Sequence, residues 1–150
     1  MIPGFMALGA ASLAMPSCQR AERALLRVAG VGTILAGLFR CSDVRCPDPT
    51  KDPEATGTDS AHAFASIVTF ITWTLLPFVD ATGRRSPSSR AVNVGNGVAT
   101  LLGFVAAGAT ARSDDPNKGI AQRVFLGSVF VWYISAAFRT LTRSSEHGEG

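Results

Sequence analysis

The sequence predicts an all-α protein, a helical transmembrane bundle with four full spans preceded by a partial N-terminal hydrophobic segment. Three observations carry that expectation. Ser60–Val79 runs for twenty residues without an Asp, Glu, Lys or Arg, and about twenty apolar residues at 1.5 Å each cross the ~30 Å hydrocarbon layer of a bilayer. Three further stretches repeat the theme, so that only 17% of the 150 residues are charged while 47% are hydrophobic, against roughly 25% charged in ordinary globular chains. The charges themselves collect in the links between these stretches.

In chain order, residues 1–16 form the partial segment. Met1–Met15 is apolar but short for a span, and it lacks the positive start of a signal peptide. It reads as an interfacial helix or, the preferred expectation, as the inner end of a span whose beginning is missing. The membrane domain covers 17–143. Its first span is placed at 24–39, where Arg27 sits one turn inside and can snorkel to the headgroups. Gly30, Gly32, Ala36 and Gly37 give this helix a small-residue stripe, which lets helix backbones approach closely in lipid.

Residues 40–59 form the longest polar segment, where Pro47, Pro49, Pro53 and Gly57 exclude a long helix. The second span follows at 60–79, with Pro77 near its far end. A short basic link, Asp80–Arg90, leads to the third span at 91–111, which is rich in Gly and Ala. The fourth, at 120–141, carries Arg123 and Arg139 near its ends and Trp132 and Tyr133 inside. Residues 144–150 read as a polar, disordered tail.

Orientation follows from the basic residues, which mark the cytoplasmic side of short loops. Four spans put Arg20, Arg23, Arg27, Arg84, Arg85, Arg90, Arg139 and Arg143 on one face, against Arg40, Arg45, Lys51, Arg112, Lys118 and Arg123 on the other. The Arg84/Arg85/Arg90 link is the strongest local signal. It and the C-terminus are therefore placed in the cytoplasm and the 40–59 loop outside, in a multi-pass protein of the plasma membrane. The lipid bilayer is the expected partner, with the small-residue helix faces open to a homo- or hetero-oligomer. A net charge of +3 with no aromatic-and-basic groove pattern excludes nucleic acid.

Candidate chemistry is sparse. Cys41 and Cys46 lie in the loop assigned to the oxidising side, where a disulfide is expected; two free thiols are the alternative. Two Cys with one nearby His make an incomplete metal set, and neither metal nor cofactor is expected. His62 stands three residues after Asp59, a spacing that puts both on one helical face. Asp59 could orient the imidazole for acid/base or metal work; the plainer reading is that Asp59 or Ser60 caps the helix while His62 rests at headgroup level. Asn93 and Asn96 open the third span, and intramembrane amides are costly unless paired, so packing against a neighbouring helix is expected. Glycine-rich phosphate loops, HExxH and GxSxG are absent from the sequence.

Three segments carry a family resemblance: Gly30–Asp43 (GVGTILAGLFRCSD) running into Cys46-Pro47, Thr58–His62 (TDSAH), and Gly119–Val124 (GIAQRV) followed by Trp132. Together they resemble the bacterial integral-membrane family catalogued as domain of unknown function 998. In that family a glycine-rich helix ends in a Gly-[Leu/Ile/Val]-Phe-Pro motif with a nearby Asp and sometimes Cys. A His opens the next helix, and a Gly-Leu-x-x-Arg motif starts the last one, which carries a Trp. The matching positions are Gly37, Phe39, Cys41, Asp43, Cys46, His62, Gly119, Arg123 and Trp132, with Arg40 in place of the usual Pro and a shifted Asp spacing. The resemblance runs from about Gly4 to Arg143. It implies about six spans, of which this chain would lack the first and most of the second, and it supplies topology without a reaction.

The expected function is thus a structural or interaction role of a multi-pass membrane protein, more simply non-enzymatic than enzymatic. Asp43, His62 and Arg123 are expected to gather at the outer face. A membrane-embedded metal-dependent hydrolase using His62 with Asp43 or Asp59 is one alternative. A transporter or helper subunit with a polar path past Asn93 and Asn96 is the other.

Overall fold

The computed structural model describes residues 2–17, 19–39, Cys41, 53–84, 86–111 and 118–146. These form five helices, α1 (Ile2–Ala14), α2 (Arg20–Leu38), α3 (Gly57–Thr82), α4 (Pro87–Ala111) and α5 (Lys118–Glu146), with no strand among the described residues. Three of them are long and apolar enough to cross a membrane, over Gly57–Thr82, Pro87–Thr110 and Gly119–Arg139, and a shorter apolar helix covers Pro3–Ala14. The helix at the expected first span is not among the three, because Arg20, Glu22, Arg23 and Arg27 crowd its opening turns. The helices α3, α4 and α5 outrun the spans expected at 60–79, 91–111 and 120–141. Pro77 lies inside α3 rather than ending it. α5 continues to Glu146, into the stretch read as a tail, whose residues 147–150 lie outside the described ones.

The chain divides into two compact units, Met1–Thr72 and Trp73–Gly150, with the boundary inside α3. In the N-terminal unit α1 lies against α2 through glycines. A Cβ on Gly9 would stand 2.8 Å from the Gly30 carbonyl oxygen, and one on Gly30 would stand 2.9 Å from that of Gly9. Backbones this close gain dispersion contacts that no larger residue would permit. At the α2–α3 contact a Cβ on Gly32 would occupy the space of the Thr69 hydroxyl. The face of α2 turned inward is therefore Leu26, Ala29, Gly30, Gly32, Thr33, Ala36 and Gly37, while Val28, Val31 and Leu38 point out.

The C-terminal unit follows the same rule. Phe125, Val129, Trp132 and Ala136 recur at helical spacing along the buried face of α5. Gly103 of α4 admits the α5 backbone: a Cβ there would lie 2.9 Å from Phe125 Cα. Gly97 of α4 likewise admits the Phe78 ring of α3, 2.8 Å from where its Cβ would be. Trp73 Nε1 donates to the Tyr133 hydroxyl at 3.1 Å, giving the indole the partner a buried N–H needs. Large apolar side chains face outward instead, Leu102 at 64% and Phe138 at 65% exposure among them. Glycines at the helix contacts and many bulky apolar side chains on the outside fit helices solvated by lipid. The hydroxyls of Thr33, Thr72, Thr100 and Ser135 each donate to the carbonyl four residues earlier in their own helix.

Candidate functional site

The most concentrated polar chemistry in the described residues surrounds Asp80, in the last turn of α3. Its carboxylate is fully buried and has donors from three directions. Arg84, one turn on, pairs with Oδ1. Arg139 Nη2, from α5, donates to Oδ2 at 2.8 Å, and Asn93 Nδ2, from α4, donates to the same oxygen at 3.0 Å. The chain is brought round for this by a tight turn after α3, in which the Gly83 and Arg84 amides donate to the Asp80 and Ala81 carbonyls. Arg90 closes the arrangement, its Nε reaching the Ala81 carbonyl at 3.4 Å. Cations at that end of α3 also complement the negative pole of the helix dipole.

A buried carboxylate is tolerated where it is paired and its lone pairs are filled. Asp80 meets both conditions, and in doing so ties together all three helices of its unit. The two paired guanidiniums exceed its single charge by one, with side-chain exposures of 15% for Arg84 and 27% for Arg139. The cluster is thus buried at the carboxylate and open to its surroundings at the cations. Asn96, three residues beyond Asn93, donates to the Ser128 carbonyl of α5 at 3.3 Å, so both amides of the third span engage a neighbouring helix.

In the N-terminal unit, His62 does a different job from the one its spacing to Asp59 raised. Its Nδ1 lies 2.9 Å from the Ala36 carbonyl oxygen and 2.7 Å from that of Phe39. Carbonyls only accept, so Nδ1 carries the proton and donates. α2 has Phe39 rather than glycine at its C-cap, and the imidazole supplies a donor that carbonyls at that end need. Asp59 faces its own helix start. Its Oδ2 accepts from the Thr56 amide at 2.8 Å and the Thr56 hydroxyl at 2.6 Å, while its amide donates to that hydroxyl at 3.3 Å. This is a reciprocal capping box, with Thr56 as the cap rather than Asp59 or Ser60.

Asp43 lies outside the described residues. Arg123 is exposed on α5, in the C-terminal unit, whereas His62 belongs to the N-terminal one. Cys41 is disulfide-bonded, and its expected partner Cys46 lies outside the described residues. Among the described residues no three His, Cys, Asp or Glu side chains are grouped so as to hold a metal ion. Asp80 is the residue that sequence reasoning missed, having been assigned to the link. Its signal was the i, i+4 spacing to Arg84, read instead as part of a cytoplasmic charge cluster.

No curated protein and no solved structure matches this chain. A family model does, and it matches residues 1–139, from the short apolar helix through Arg139 of the Asp80 cluster. The chain belongs to the family described as protein of unknown function (DUF998).

Proposed function

We propose that this chain is a structural or interaction component of the plasma membrane that crosses the bilayer four times, with α2 as the additional span. The single observation behind this reading is the Asp80 cluster, in which Arg84, Asn93 and Arg139 turn on one buried carboxylate and join α3, α4 and α5. The nineteen residues of α2 are long enough for a thin or locally adjusted span. Its charges fall in the first turns, within reach of headgroups, and Glu22 there accepts from the Ser17 hydroxyl at 2.6 Å. With four spans, the basic 80–90 link and the C-terminus face the cytoplasm and the 40–59 loop faces outside, where Cys41 pairs with Cys46. Gly95 and Gly108 of α4, with nothing within 4 Å of where a Cβ would stand, leave room for another helix, from a second copy or another chain.

Of the residues that the alternatives require, Asp43 lies outside the described ones, and His62, Asp59, Asn93 and Asn96 have the partners given above. A hydrolase would recruit His62 and Asp59, which serve the end of α2 and the start of α3. A transporter would need an open path past Asn93 and Asn96, both bonded across to neighbouring helices. Labelling of intact cells with a membrane-impermeant maleimide tests the proposed topology. Cys41 and Cys46 should react only after reduction while Cys18 stays silent; labelling of Cys18 would invert the bundle and remove the oxidising face from the 40–59 loop.

A further inference from the structure

Beside the Asp80 cluster lies a cavity of about 360 Å³, lined by Arg84, Ser86, Pro87, Arg90, Ala91 and Val94. It sits at the turn between two helices that are each long and apolar enough to span a membrane, which places it at a membrane–water boundary. Its lining is divided. Arg84, Ser86 and Arg90 make one end polar, and Pro87, Ala91 and Val94 make the other apolar.

Charge is unbalanced at the polar end. Among the described residues, Asp80 supplies one negative charge against the guanidiniums of Arg84 and Arg90, which line the cavity. The buried Nε of Arg84 has no hydrogen-bond partner among the described residues, and Arg90 is exposed. From the apolar end, an exposed stripe continues along α4 through Val94, Val98, Leu101 and Val105, at the spacing that keeps residues on one helical face. A free phosphate or a nucleotide would use the cations and leave the stripe without a purpose. An amphiphile with an anionic head and an extended apolar tail uses both.

We propose that this cavity binds the headgroup phosphate of an anionic phospholipid, with an acyl chain along the Val94–Val105 stripe of α4. Guanidinium groups suit phosphate through paired N–H···O contacts, and basic pockets between spans at a membrane surface select anionic headgroups on those terms. The proposal rests on the functional reading above only in treating α3 and α4 as spans. Binding measured in detergent does not depend on sidedness, so either can fail without the other.

The test is native mass spectrometry of the purified full chain in detergent, titrated in parallel with phosphatidylglycerol, phosphatidylcholine and inorganic phosphate. Phosphatidylglycerol should be retained preferentially, and Arg90→Gln, which leaves the Asp80 pairs in place, should weaken that retention about fivefold, the effect of one basic residue near an anionic surface. Arg90→Lys should keep the preference. Ala91→Trp, which fills the apolar end without removing a charge, should abolish it and so decides the matter if Arg90→Gln does not fold. Equal retention of the two lipids, or an unchanged preference in a folded Arg90→Gln or Ala91→Trp protein, overturns the proposal. So does displacement of phosphatidylglycerol by inorganic phosphate at equal concentration, which would assign the site to a soluble anion.

Discussion

Asp80→Asn keeps the shape of the side chain and removes its charge, and the structure sets how much that should matter. The carboxylate is fully buried and holds three donors on two oxygens. An amide can present only one accepting oxygen, so its NH2 must face either Arg84 or the Arg139–Asn93 pair. Hydrogen bonds to a charged group are worth about 1.5–3 kcal/mol each, and breaking a buried pair costs about 3–5 kcal/mol. Arg84 and Arg139 are partly exposed and can turn toward water or headgroups, which lowers the cost. We expect Asp80→Asn to destabilise the C-terminal unit by about 2–4 kcal/mol. Both tryptophans of the chain, Trp73 and Trp132, are buried in that unit, so fluorescence during unfolding in detergent and denaturant reads it directly. In a double-mutant cycle, Asp80→Asn with Arg139→Gln should cost less than the two single changes summed, because the second relieves a cation left without its counter-charge. A loss below about 0.5 kcal/mol for Asp80→Asn, the range of ordinary surface substitutions, or strict additivity in the cycle, would refute the idea that this carboxylate holds the three helices together.

Two further predictions rest on packing and capping. His62→Ala withdraws the donor shared by the Ala36 and Phe39 carbonyls and should cost about 1 kcal/mol, read as faster amide exchange in the last turn of α2; unchanged exchange there would remove the imidazole from its capping role. Gly103→Ala places a methyl 2.9 Å from Phe125 Cα and should destabilise by about 1–3 kcal/mol. Gly108→Ala, on the same helix with nothing within 4 Å, should be neutral or stabilising by up to about 1 kcal/mol. Equal effects of the two substitutions would contradict the close α4–α5 approach.

The existence and order of the helices were legible in the sequence, because an uncharged run of span length and a charged or proline-rich link differ in composition alone. Ser60–Val79 lies inside α3, and residues 91–111 lie inside α4. The small-residue stripe of α2 was legible for a related reason: Gly30, Gly32, Ala36 and Gly37 have no apolar bulk to offer lipid, and their spacing aims them at a neighbour. The motifs from Gly30 to Trp132 were enough to indicate the family. Helix ends were less visible, since α3 begins at a capping box centred on Thr56 while hydropathy changes only several residues later.

Only the tertiary structure decided what the polar residues do. Asp59 and His62 share a spacing that permits an acid–base pair, yet each has a closer partner in the folded chain, one at its own helix start and one across on α2. Asp80 was the least legible of all. A carboxylate at the end of a span looks like the first residue of a loop until Asn93 and Arg139, the latter fifty-nine positions away, are brought to it. Local spacing records neighbours along the chain, whereas the stability of a buried charge depends on neighbours in space. Composition therefore determined that three of these helices are long and apolar enough to cross a membrane, and packing decided which of their charges could be buried and by what they are held.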